Sequence, residues 1–217
     1  ASAADADGFV WQTEQFADLK IVRYQVGGWD KLDNRQKALV YCLNQAGLSG
    51  RDIMYDQNNR YNLRVRNLLE NIYTGFDGDK NTVGWNRFET YLKRIWFSNG
   101  IHHHYANTKL LPEFSEAYFD ELLAATGGTL SDELRAVIFD PKVESKKVEQ
   151  DASKGLVEGS AGNFYAPAVT PEEAQTYLAS IVEEGDRPPV EYSLNARWVK
   201  SANGDIEGQV SQVGGLY

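Results

Sequence analysis

Apolar residues recur at helical spacing through most of this chain and at alternate positions only near its two ends. Leu63, Val65, Leu68, Leu69, Ile72 and Tyr73 predict a helix over about residues 59–74, closed by the turn-forming stretch Gly75-Phe-Asp-Gly-Asp79. Phe88, Leu92, Ile95 and Trp96 form one apolar face of the next helix. It stops at Asn99-Gly100, the residue types that best accept a left-handed backbone. Ser115 is placed to cap a helix carrying Tyr118, Phe119, Leu122 and Leu123 as far as Gly127-Gly128, and Ser131 opens a shorter one. Upstream, Asp33 and Gln36 make a capping box. Behind it Ala38, Leu39, Cys42, Leu43 and Ala46 form an apolar stripe ending near Gly47, and residues 51–57 add a short helix. Thr170-Pro-Glu-Glu173 is a second box with proline at the first helical position, followed by Ala174, Tyr177, Leu178 and Ile181.

The strand signals are fewer. Residues 19–26 are β-rich and stop at Gly27-Gly28, and residues 190–200 become β-compatible after Pro188-Pro189. Asn203-Gly204 predicts a two-residue hairpin turn pairing 195–200 with 205–210. The expected fold class is therefore α+β, helix-rich with a few antiparallel strands, without internal repeats or low-complexity segments. Residues 142–162, rich in Lys, Glu, Ser and Gly, are expected to form an exposed, mobile loop.

Composition narrows the function classes. With 217 residues, 42% of them hydrophobic and 12% aromatic, the chain can bury one large core or two small ones. A net charge of -9 argues against nucleic acid as a partner, since phosphate binding needs a basic surface. No apolar run approaches the roughly 20 residues that span a bilayer, so no membrane span is expected. The single cysteine, Cys42, excludes an internal disulfide and, at helical spacing from Leu39 and Ala46, is expected to be a buried small hydrophobe. Both a cytoplasmic and a periplasmic location fit this usage. The small, acidic residues 1–8 resemble a spacer left after removal of an export signal.

All three histidines, His102, His103 and His104, fall just past a helix end. Adjacent side chains diverge, whereas a mononuclear zinc site draws its ligands from one helix face plus a distant residue. A hydrogen-bonded polar turn is therefore the preferred expectation over a metal site. No Gly-x-Ser-x-Gly elbow or Ser/Cys-His-carboxylate set is evident, and Gly155-Leu-Val-Glu-Gly-Ser-Ala-Gly162 lacks the Lys-Ser/Thr ending of a phosphate loop. Asp132, Glu133, Glu172 and Glu173 suit helix starts, Glu183 and Glu184 sit at a helix end, and Arg51 with Asp52 is expected to form a structural ion pair. Tyr105, beside His104 and Asn107, combines stacking area with hydrogen-bonding groups, a mixture suited to holding a short peptide by its backbone.

The ordered series of residues 48–58, 60–66 and 88–109, Phe139-Asp-Pro141, Tyr192-Ser-Leu-Asn-Ala-Arg197 and Val213-Gly-Gly-Leu-Tyr217 resembles the N-terminal part of the dipeptidyl peptidase III family, in particular its bacterial members. The resemblance runs from about Phe16 to Tyr217. It implies a two-lobed zinc aminopeptidase that removes dipeptides from the N-termini of short peptides. The family's zinc site rests on a His-Glu-x-x-Gly-His helix that this sequence lacks. The implied role is thus a non-catalytic segment, inactive alone, with zinc bound outside this chain. Residues 1–15 would be a flexible spacer, and 16–217 an N-terminal segment incomplete at its C-terminal end. The implied partners are short peptide substrates and the remaining C-terminal portion of the same protein, which would meet the faces of Phe88 and Trp96 and the last strands. In that setting Tyr105 lines the pocket for the peptide's N-terminal residues, with His104 and Asn107 nearby. Asn195 and Arg197 are further substrate-binding candidates, for which a strand-end hydrogen bond or salt bridge is an equal explanation. The alternative is a free-standing peptide-binding or interaction module.

Overall fold

The first turn of a helix leaves backbone N–H groups without partners, and in this chain short polar side chains take them up, at the predicted Asp33, Ser115, Ser131 and Thr170 and also at Thr82. In the computed structural model, which describes residues 3–4, 7–151, 153–180 and 196–210, Thr82, Ser115 and Ser131 accept from Trp85, Tyr118 and Leu134 at 3.1–3.2 Å. Both capping boxes close reciprocally, Asp33 with Gln36 at 2.8 and 3.0 Å and Thr170 with Glu173 at 3.3 and 3.0 Å. The architecture is α+β.

The chain divides into two compact units, Ala1–Ser49 and Gly50–Tyr217. The first holds an antiparallel sheet in the order β1 (Ala3–Ala4), β2 (Val10–Phe16), β3 (Leu19–Val22), then a 3-10 turn at Trp29–Lys31 and helix α1 (Asn34–Ser49). β2 begins inside the stretch expected as a spacer. Its tight turn at Ala17-Asp18, with Ala17 at φ 48°, carries no glycine to announce it. A correction also applies to α1. Its stripe is exposed, Leu39 and Leu43 at 59 and 62%, and so is Cys42, which the sequence placed in a core. Among the described residues of this unit only Gln12 is buried, so the stripe joins no buried apolar cluster there.

The second unit contains α2 (Arg51–Asn58), α3 (Asn62–Gly75), α4 (Val83–Ser98), α5 (Glu116–Thr126), α6 (Asp132–Phe139), α7 (Leu156–Gly159) and α8 (Pro171–Ser180), with the hairpin β4 (Ala196–Lys200) and β5 (Ile206–Val210). Val65, Leu69 and Ile72 of α3 meet Phe88, Leu92 and Ile95 of α4 and Phe119 and Leu122 of α5 in one fully buried cluster. Each such side chain contributes roughly 1.5–3 kcal/mol by leaving water. Phe114 sits 5.6–5.8 Å from Phe88, Tyr91 and Phe119, and Phe76 stacks on Trp85 at 4.9 Å. Phe88 is therefore core, and Trp96 is half-buried with its indole donating to Glu70 at 2.8 Å, so neither offers the open face expected for a missing portion.

Two further expectations change. The β4–β5 loop is longer than the two residues expected: Lys200 pairs with Ile206, and Ser201 and Asp205 close a three-residue loop over Ala202-Asn203-Gly204, with Gly204 at φ 89°. The segment 142–162 is tied down by its backbone. Lys147 N–H donates to Asn107 O at 2.8 Å, and Ala161 and Gly162 N–H donate to Lys146 and Lys147 O at 2.8 and 2.9 Å. Main-chain pairing of this kind leaves little trace in composition. The expectations for Ile181, Glu183, Glu184, Pro188-Pro189, Asn195 and Val213 to Tyr217 lie outside the described residues, as does the side chain of Leu178. Among the described residues no helix is long and apolar enough to cross a membrane.

Candidate functional site

The histidine turn is built on the exit of α4. Asn99 adopts φ 51° and Gly100 φ 142°, and Gly100 N–H returns to Ile95 O at 3.0 Å. A side chain at position 100 would collide with the amide of Asn62. That buried amide donates to Tyr55 O at 2.9 Å and accepts from Ile101 N–H at 2.9 Å, while Asn58 donates to Asn99 O at 3.0 Å. The α2–α3 junction thus grips the helix exit through asparagine side chains.

From there the chain runs out and back as a β-like loop. Leu110 N–H donates to Ile101 O at 2.8 Å, His103 N–H to Thr108 O at 2.8 Å, and Asn107, at φ 58°, donates to His103 O at 3.1 Å. His102, 2% exposed, points inward with Nε2 2.7 Å from Glu144 O. A carbonyl can only accept, so Nε2 carries the proton, and Nδ1 has no partner among the described residues. Burial pushes its pKa down to about 4, against a raising effect of the Glu144 carbonyl. Glu144 is held at φ 53°, with its carboxylate taken by Asn59 at 2.7 Å and Arg60 at 3.1 Å. Lys109 donates to Asp140 O and Val143 O at 2.5 and 2.8 Å, closing the end of α6 onto the turn.

The outer face is different in kind. His103 Nδ1 accepts from Tyr105 and Ala106 N–H at 3.2 and 3.0 Å, which leaves Nε2–H as its donor. Its ring stacks on His104 at 4.5 Å, Phe97 meets His104 edge-on at 4.9 Å, and Tyr105, 87% exposed, approaches His104 at 6.2 Å. Of the candidates, Tyr105 and His104 therefore share this face, whereas Asn107 gives its backbone to the turn and its carbonyl to Lys147. Arg197, on β4, is directed elsewhere, to Gln209 at 2.9 Å and Asn163 at 3.4 Å; Asn195 lies outside the described residues. Asp52 pairs with Arg66 at 2.7 Å, in place of the ion pair with Arg51 expected from sequence.

The triplet does not fit a metal ion. His102 is turned into the protein, and His103 has already committed one ring nitrogen to the backbone. Among the described residues no group of three or more His, Cys, Asp or Glu side chains is placed to hold one. What the outer face of the turn presents is ring faces, one imidazole N–H and a phenol. Asn58, Asn59, Asn62 and Glu144, which carry the turn, were not singled out from sequence. Their signal was present as three asparagines within five residues at a helix boundary. No protein-family model matches the chain, and no curated protein matches it in sequence.

Proposed function

We propose that this chain is the non-catalytic N-terminal part of a dipeptidyl peptidase III-like zinc exopeptidase, and that the histidine turn is a wall against which a short peptide substrate rests. The observation that carries the reading is the exposed Phe97, His104 and Tyr105 face mounted on a backbone pinned by Asn58, Asn62 and Glu144. A rigid mount lets aromatic rings position a ligand without first losing their own freedom, which is where such walls contribute to binding and alignment. His103 Nε2–H can meet a peptide carbonyl, and Tyr105 can stack on a side chain. Zinc and the hydrolytic groups belong, in this reading, to a C-terminal portion of the same protein.

The experiment is to follow the reading frame past Tyr217 and assay the whole product. A continuation into a His-Glu-x-x-Gly-His segment, with zinc-dependent release of dipeptides from dipeptidyl-arylamides, supports the proposal. A stop codon after Tyr217, with peptide binding by the 217-residue chain alone, supports a free-standing binding module instead. The burial of an apolar cluster between residues 55 and 138 is the feature that favours this second reading.

A further inference from the structure

The outer side of α3 and the loop joining α5 to α6 enclose a groove of about 650 Å3, inside the roughly 300–1,000 Å3 range of ligand sites. Its one charged lining residue, Arg64, is already engaged: the guanidinium meets Glu133 at 3.2 Å and lies over the Tyr61 ring. Thr126 donates its hydroxyl to Leu122 O at 2.8 Å, and Ser131 caps α6. Asn67, Asn71 and Thr129 remain. Their side chains are exposed and take part in no hydrogen bond among the described residues.

The two asparagines break a local rule. They stand in the interior of α3, where Asn is among the weaker helix formers because its amide competes with the backbone. Neither caps an end of the helix or bonds back to it. Local preferences broken without a structural gain are expected at functional positions. Their spacing indicates the ligand. Four residues of helix rise roughly 6 Å, and alternate residues of an extended chain stand roughly 6.6 Å apart. Each carboxamide carries an acceptor oxygen and an N–H donor pair, the complement of a peptide unit. On the loop side Gly127, at φ 66°, has nothing within 4 Å of where a Cβ would stand, so another backbone can come close. Leu68 and Leu134 add apolar lining. A sugar would lack a ring face to stack on, since no aromatic side chain lines the groove, and an anion would meet a cation already held by Glu133.

We propose that this groove binds an uncharged segment of extended peptide by its backbone, with Asn67 and Asn71 each hydrogen-bonded to one of two alternate peptide units and Thr129 closing the opposite side. The groove shares no residue with the histidine turn, and the inference is independent of the peptidase reading.

Titration of the 217-residue chain with the capped peptide acetyl-Ser-Val-Thr-Val-Ser-amide, followed through the side-chain amide NMR signals of Asn67 and Asn71, tests it. The same peptide N-methylated at its three central residues, and maltotriose, are run in parallel. Saturable shifts of both signals are expected, with the methylated peptide about tenfold or more weaker and the Asn67→Ala, Asn71→Ala double variant weaker by a similar factor. Alanine is the better helix former, so that variant should melt at or above the wild-type temperature. Absence of saturation, shifts confined to the histidine turn, equal binding of the methylated peptide, tighter binding of maltotriose, or undiminished binding by the double variant would each overturn the proposal. So would a lower melting temperature, which would show that the two asparagines serve the fold.

Discussion

His102 shows how one buried ring links the turn to pH. In the unfolded chain its imidazole titrates near 6.5 and in the fold near about 4, because burial disfavours the charged form. Between those values the unfolded chain binds more protons. The stabilisation tied to the neutral ring is therefore complete above pH 6.5 and lost as pH falls toward about 4. The size of this effect is on the order of 2–3 kcal/mol. His102→Gln, which keeps a donor for Glu144 O, should flatten that part of the profile in denaturant titrations at pH 7, 5.5 and 4.5. A slope equal to wild type would show that His102 is not the group responsible. Tyr91 offers the opposite experiment: its buried hydroxyl has no partner among the described residues, and burial holds its ionisation well above the usual range. Removing an unsatisfied hydroxyl relieves its desolvation penalty, so Tyr91→Phe should leave stability unchanged or raise it by up to about 1 kcal/mol. A fall in melting temperature would reveal a partner for the oxygen.

At the scale of elements, the α4 exit is the joint on which the turn hangs. Gly100→Ala combines an unfavourable backbone conformation with a collision against Asn62, and should destabilise by about 2–4 kcal/mol in chemical unfolding. Gly100→Ala combined with Asn62→Ala should recover part of that loss, and no recovery would mean that the collision is not its cause. This joint was half legible. Asn99-Gly100 announces the helix stop, and the stripe of Phe88, Leu92 and Ile95 announces the core face, since both follow from local backbone and period rules. The partner of the joint did not announce itself, because Asn62 acts across 37–39 residues through side-chain hydrogen bonds that no period encodes. The same limit explains β2, whose Ala17-Asp18 turn lacks glycine, and the segment 142–162, held by main-chain bonds. Of the candidates, His104 and Tyr105 were chosen by residue type and position, and both lie on the outer face of the turn. Arg197 was drawn in by resemblance, yet its hydrogen bonds run to Gln209 and Asn163.

On the scale of the whole molecule, α1 is the outlying observation, since its Leu39, Tyr41 and Leu43 are all more than half exposed. An amphipathic pattern predicts that a face will be covered without saying by what. In the 217-residue chain, Leu39→Glu with Leu43→Glu should change stability by no more than about 0.5 kcal/mol, as for surface sites. A drop of several kcal/mol on chemical unfolding would mean that this face is packed.

The central proposal is that the histidine turn receives substrate, and Tyr105→Ala in the zinc exopeptidase proposed to contain this chain measures it most directly. With its ring almost fully in solvent, Tyr105 contributes little to packing, so the variant should keep the wild-type melting temperature and zinc content. Its kcat/KM toward a dipeptidyl-arylamide should fall by the equivalent of about 1–3 kcal/mol. Unchanged kcat/KM at an unchanged melting temperature would contradict the account and remove Tyr105 from the substrate's path.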